Sequence, residues 1–212
     1  MGGAAHMTSD TRETLRFLQT ENTRLVEENR ELRGENATLR RILDVLRTLQ
    51  DVSTSITAST SVLGLLDRIL QSALQSIDAT AGSLLLIDDE TGELVFTVVE
   101  GASREALLNY RLPMGTGIAG WVAQHAEPVI VANVRHDPRF SPLVDETIHF
   151  QTLSLVCVPL ATPRKVLGVL NALNKAGGKE FTSDDLALLA VVAQLAATAM
   201  ERAESATPEA NV

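Results

Sequence analysis

Leucine recurs at an unbroken interval of seven, at Leu18, Leu25, Leu32, Leu39 and Leu46. Three residues ahead of each stand Leu15, Asn22, Asn29, Asn36 and Leu43. This is the a/d seam of a coiled coil with leucine at every d position. A lone helix this polar is marginal in water, and Gly34 on its outer face weakens it by about 1 kcal/mol, so the seam predicts a partner helix. Asparagines at a positions satisfy one another when aligned across a two-stranded parallel seam, and poorly in a wider core or a shifted register. Glu21, Glu28 and Glu35 occupy g positions, and Arg33, Arg40 and Arg47 occupy e positions. A parallel pair sets Glu28 of one chain against Arg33 of the other and Glu35 against Arg40, whereas an antiparallel pair sets Glu against Glu and Arg against Arg. The expectation is a parallel homodimeric rod, roughly 50 Å long at 1.5 Å per residue.

The chain divides into four segments. Residues 1–10 read as a leader, with a small-residue run ending at His6 before a second plausible start at Met7. Residues 11–52 form the coiled coil, 53–204 a globular domain and 205–212 a flexible tail. With 45% hydrophobic and 21% charged residues, the globular part can bury one core of ordinary size.

A formal charge of -9 with scattered basic residues disfavours nucleic acid and anionic membrane as partners. Cys157 is the only cysteine, which excludes an internal disulfide and a multi-cysteine zinc site and suits a cytoplasmic setting. The longest apolar stretch, Leu186 to Met200, is interrupted by Gln194 and falls short of a membrane span.

Beyond the rod, the Ser/Thr-rich stretch Ser53 to Ser61 predicts a break near Ala58 to Thr60. Thr60 or Ser61 caps a new helix with the core stripe Leu65, Leu66, Ile69, Leu70, Ala73 and Ile77, ending near Asp78. Ser83 to Ile87 and Glu93 to Val99 are β-rich runs joined by the hairpin signal Asp88 to Gly92. Further strands are read at Val129 to Val131, Leu153 to Leu160 and Lys165 to Asn171, and helices at Ile118 to His125 and Asp184 to Glu204. Antiparallel hairpins bracketed by helices imply an α+β domain.

The blocks AGSLLLIDDETGELVFTVVEG, MGTGIAGWVAQHAEPVIVANVRHDPRF, SLVCVPL, VLGVLNALNK and FTSDDLALLAVVAQLAATAM follow in the order found in GAF domains. The resemblance spans roughly residues 60 to 203. It implies a central antiparallel sheet of about six strands with helices on one side and a ligand pocket on the other, under loops and short helices. It further implies that the terminal helices join those of a second domain in a dimer. By resemblance, the pocket is lined from Ser83, Ile118, Ala119, Trp121, Val134, Asp137, Phe140, Thr147, Thr152 and Ser154. Asn174, Lys175, Phe181 and Asp185 are similar to the signature of cyclic-nucleotide-binding members, in which the Lys and Asp form a salt bridge that steadies the pocket without touching ligand. Leu186 departs from that signature, which has Glu there, and the connection Ala176 to Glu180 is short.

Each motif also has a plainer explanation. Gly115, Gly117 and Gly120 lack the Walker spacing and its lysine, and read as a turn leading into a short helix. Thr182 or Ser183 caps the last helix, with Asp184 and Asp185 at its positive end and Phe181 as a staple. Trp121, the only tryptophan, reads first as a packing residue. His125, His136 and His149 have no metal-ligand spacing. Cys157, between Val156 and Val158, reads as an inert buried thiol. No Ser-His-acid set or nucleophile elbow can be assembled.

The expected function is therefore a non-catalytic, homodimeric regulator. In it the pocket senses a small cytosolic ligand, a cyclic nucleotide among the candidates, and couples it to the coiled coil or to a protein partner. No resident cofactor is called for. An adaptor with an unused pocket is the alternative. An enzyme ranks last, because the family branch that reduces free methionine sulfoxide uses several cysteines and only Cys157 is present.

Overall fold

The computed structural model describes residues 9–54 and 62–206, with side-chain surroundings from 12 to 36, at 40 and from 62 to 203. The break expected near Ala58 to Thr60, the cap at Thr60 or Ser61, most of the leader and most of the tail lie outside the described residues, as do the side chains of Leu39, Leu43 and Leu46.

Helix α1 runs Ser9–Thr54. On the single chain Leu15, Leu18, Leu25 and Leu32 stand 42–56% exposed along the seam. Arg24 bonds Glu21 at 2.6 Å and approaches Glu28 at 3.6 Å, surface pairs three and four residues apart that each contribute a few tenths of a kcal/mol.

In the globular part, α2 (Val62–Ser76) buries Leu66, Ile69, Leu70, Ala73 and Leu74. A six-stranded antiparallel sheet follows, built from β1 (Ala79–Ile87), β2 (Leu94–Glu100), β3 (Arg111–Leu112), β4 (Val129–Val131), β5 (Leu155–Ala161) and β6 (Val166–Lys175) in the order β3-β2-β1-β6-β5-β4. Short helices α3 (Arg104–Leu107), α4 (Gly117–His125) and α5 (Leu143–Ile148) lie in the connections, and α6 (Ser183–Ala206) closes the fold.

The period-2 alternation of the central strands sorts side chains onto two faces. Leu84, Val156, Val158, Leu170 and Ala172 pack with α2 and α6, whose Leu188, Leu189, Val192, Ala193, Ala196 and Ala197 are buried with them. Leu85, Leu155, Cys157 and Val169 face the other way, into a second apolar cluster with Ile118, Val122 and Val134. Ser183–Ala203 is long and apolar enough to cross a membrane by length and composition alone, but its apolar stripe is the one that backs the sheet.

The hairpin at Asp88 is held by its carboxylate, which accepts the N–H groups of Glu90 at 2.9 Å and Thr91 at 3.2 Å. Arg111 on β3 then clamps Asp88 at 2.7 Å and Glu93 at 3.1 Å. Strands β1 and β6 run longer than their sequence patterns suggest, because Ala79 and Ala81 pair with Lys175 and Leu173. At Gly168 a Cβ would stand 2.0 Å from the carbonyl oxygen of Leu85, so the centre of the sheet admits no side chain at that point.

Candidate ligand site

On the sheet face opposite α2 and α6 lies a cavity of about 110 Å³. Its floor is the strand surface, with Phe96 and Val99 from β2, Ser83 from β1, Asn171 and Leu173 from β6 and Leu155 from β5. The start of α4, at Gly117 to Ala119, forms one wall. Residues Phe140, Val144, Asp145, Ile148, Phe150 and Thr152 form the cover.

The α4 wall depends on local backbone geometry. Gly115 and Gly117 have φ of 80° and 67°, the left-handed region that glycine enters freely. Gly120 packs so closely that a Cβ there would meet the Gly115 carbonyl carbon at 2.7 Å. The expected glycine turn leading into a short helix is thus the arrangement found.

The cover is tied down by Asp145, which is buried. Its carboxylate accepts the Thr152 N–H at 2.8 Å and the Thr152 hydroxyl at 2.7 Å. Both partners lie in the cavity lining, so the contact closes the cover segment upon itself.

Two polar side chains occupy the otherwise apolar floor. Ser83 and Asn171 sit directly opposite one another on β1 and β6, and the Asn171 amide donates to the Ser83 hydroxyl at 3.2 Å. Both are buried.

Of the expected pocket residues, Ser83, Ile118, Ala119, Phe140 and Thr152 line the cavity. The other five are placed elsewhere. Trp121 lies on the α4 face shared with His125, stacked at 4.4 Å on its ring, with the Arg139 guanidinium 4.5 Å from the indole. Val134 is fully buried in the apolar cluster. Asp137 binds Arg139 at 2.7 Å, and those hydrogen bonds hold its carboxyl below the usual range. Thr147 is exposed and donates its hydroxyl to the Leu143 carbonyl at 2.7 Å. Ser154 is buried beside the site, its N–H bonded to Asn174 at 3.3 Å.

The Asn174, Lys175, Phe181 and Asp185 set lies outside the lining. Lys175 pairs with the fully buried Asp185. Asp185 also accepts the Thr182 N–H at 2.8 Å while Thr182 Oγ1 accepts the Asp185 N–H at 3.3 Å, a capping box at the start of α6. Phe181 is buried in the back core. Asn174, at φ 52°, accepts the Leu153 N–H at 2.8 Å and donates to the Gln151 carbonyl at 2.8 Å.

Cys157 is buried. Burial pushes its thiol well above the ordinary range, with the Arg139 charge acting weakly in the opposite sense. That leaves a poor nucleophile.

Asn171, Asp145, Phe96 and Phe150 were not anticipated as lining residues. Asn171 carried one usable sign, a polar residue between Leu170 and Ala172 in an apolar strand.

An antiparallel sheet with helices behind it and a sheltered cavity in front defines an α+β domain of the ligand-pocket class. The chain belongs to the GAF domain family, whose sequence model matches residues 61–200. It is 34% identical over 96 residues to the dual 3',5'-cyclic-AMP and -GMP phosphodiesterase 11A of Takifugu rubripes, a match covering 44% of this chain and 11% of that protein. The chain thus spans a small part of the length of its curated relatives. Among solved structures, the GAF domain of a phosphoenolpyruvate-protein phosphotransferase from Coxiella burnetii superposes with a TM-score of 0.65 at 20% identity, covering 77% of this chain and 96% of that one. The free methionine-R-sulfoxide reductase of Neisseria meningitidis, solved with its substrate, superposes at 0.61 with 20% identity, covering 77% and 92%. GAF domains occur in small-molecule sensing and signalling proteins and are typically regulatory, although some proteins of this fold are enzymes.

Proposed function

We propose that this chain is a non-catalytic regulator of the cytosol whose GAF domain takes a small ligand into the cavity over the sheet, and whose α1 helix pairs in parallel with a second copy. The carrying observation is the cavity itself. It is mostly apolar, covered by a segment latched through Asp145, and it holds two buried polar groups at the centre of its floor. A few convergent polar groups in an apolar, sheltered site are the usual composition of a small-molecule pocket.

The similarity to a cyclic-nucleotide phosphodiesterase and the Lys175–Asp185 pair support a cyclic nucleotide as one candidate ligand. Against catalysis stands Cys157, a shielded thiol on a central strand with its ionisation suppressed. Regulation requires unequal affinity of the ligand for two arrangements of the dimer.

Thermal unfolding of the full chain with cytosolic metabolites, cyclic AMP and cyclic GMP included, tests the reading. A ligand present at 100 times its dissociation constant stabilises the fold by about 2.7 kcal/mol. If no metabolite shifts the transition and the protein instead co-purifies with a protein partner at fixed stoichiometry, the sensor reading fails in favour of an adaptor.

A further inference from the structure

We infer that the cavity selects an uncharged ligand carrying an amide-like edge, a donor beside an acceptor, which the Asn171 carboxamide reads, and that it discriminates against phosphate and carboxylate ligands. The inference rests on the cavity being a ligand site, as proposed above, and names the chemistry of what enters it; among the candidates given there it decides against a cyclic nucleotide.

Three observations carry it. Asn171 is 7% exposed and lines the cavity. Only its bond to the Ser83 hydroxyl is formed among the described residues, so the carbonyl oxygen and one N–H of the same amide remain unused in a buried setting. Both atoms open onto the cavity, since neither is among the fully shielded unpaired side-chain atoms of the described residues, and a ligand offering the complementary donor and acceptor takes the place of water there. Planar amide-to-amide pairing of this kind is the geometry by which Asn meets the edge of a heterocycle.

The second observation is charge. Among the described residues the lining includes two carboxylates, Glu100 and Asp145, and no lysine, arginine or histidine. Glu100 is paired with Arg104 at 2.8 Å, and the same Arg104 nitrogen is also taken up by the Val99 carbonyl at 3.1 Å and by Asp67 at 3.0 Å. Asp145 spends its oxygens on Thr152. An anion entering here would lose its water next to a buried carboxylate, with the backbone N–H groups at the start of α4 but no cationic side chain of the lining to receive it, a costly exchange at low dielectric.

The third is size. At about 110 Å³ the cavity lies below the roughly 300–1,000 Å³ typical of drug-sized sites. It suits a single ring or a short amide better than a base, sugar and phosphate together.

A matched series tests this on the full chain: benzamide, benzoate and cyclic AMP, each titrated by protein-observed NMR. Benzamide is expected to bind at least about tenfold more tightly than benzoate or cyclic AMP, the worth of one or two hydrogen bonds. Its largest shifts should fall on the Asn171 side-chain amide and on Ser83. The Asn171→Leu variant should lose benzamide binding about tenfold with its thermal transition retained. Should that variant fail to fold, the wild-type shift map decides alone. Benzoate or cyclic AMP binding in the cavity as tightly as benzamide, or benzamide binding without perturbing Asn171, overturns the inference and leaves the sensor reading standing. Binding by none of the three at millimolar concentration, with no metabolite shifting the thermal transition, removes both.

Discussion

Replacing Asp185 by Ala isolates what the buried ion pair on the back of the domain contributes. Asp185 is fully buried, and Lys175 opposite is 11% exposed at its side chain. Removing the carboxylate leaves an ammonium almost wholly out of water, with the Phe181 ring 5.7 Å away as its remaining close contact of note. It also leaves the Thr182 N–H without the acceptor it has at 2.8 Å. Breaking a buried pair from one side costs about 3–5 kcal/mol, and for a domain of this size each kcal/mol lowers Tm by about 2–4 °C. Asp185→Ala is therefore expected to lower the midpoint by about 6–20 °C, with an unchanged denaturant m-value. The double variant Lys175→Met with Asp185→Leu removes both charges. Its remaining deficit is the lost cap, about 1 kcal/mol, so it should recover at least about 2 kcal/mol relative to Asp185→Ala. Urea unfolding followed by circular dichroism measures all three proteins. A double variant no more stable than Asp185→Ala would refute the assignment of that cost to an unpaired buried charge.

Other consequences are equally direct. Thr152→Val deletes one of the two bonds that latch the cover to Asp145; a loss of about 1–2 kcal/mol is expected, with faster hydrogen exchange confined to residues near 143–152. Gly168→Ala forces a methyl group to 2.0 Å from the Leu85 carbonyl, a clash above the usual ~1–3 kcal/mol of overpacking, so soluble yield and Tm should both fall sharply. Cys157 should stay unreactive towards a thiol reagent at pH 8 until the domain unfolds, as its buried, upward-shifted thiol requires; stoichiometric labelling of the folded protein would contradict this. Leu25→Glu with Leu32→Glu places charges on the seam where both leucines stand 51% exposed on a single chain, and light scattering should then report a lower mass than for the parent.

The fold was legible wherever hydrophobic period was long. Seven-residue spacing predicted α1, and apolar runs bounded by turn residues predicted the central strands, whereas the separation of Leu84 from Leu85 and of Leu170 from Val169 onto opposite faces is visible only in the fold. Of the elements of a few residues, β4 was read from its Val-Ile-Val run, but β3, α3 and α5 are too short to display a period and were not. The site was legible where it sits on regular elements. Ser83 and the start of α4 line the cavity as expected, yet Trp121, one turn on from Ile118, packs against the apolar cluster and stacks on His125 instead of entering the lining. In the irregular cover, the turn of α5 carries Asp145 inward and Thr147 outward, a rotation that linear sequence does not encode. Asn171 escaped notice because a polar residue in an apolar strand declares its purpose only when the cross-strand partner is known.

Strand β6 links the front of this domain to its back within a few residues. Asn171 is in the cavity floor; Asn174, three positions on, grips the backbone at Gln151, Leu153 and Ser154; Lys175 follows and holds the first turn of α6 through Asp185. Residue 152 between those gripped positions is the one that latches Asp145. On the function proposed above, a ligand that drew on Asn171 or displaced the Thr152 latch would act on backbone already fastened to the strand that anchors α6. Tight binding alone transmits nothing along this route. Only a ligand whose affinity differs between two settings of the cover can bias α6, and a tenfold difference corresponds to about 1.4 kcal/mol, the scale of one or two of the hydrogen bonds that join Asn174 and Thr152 to the cover.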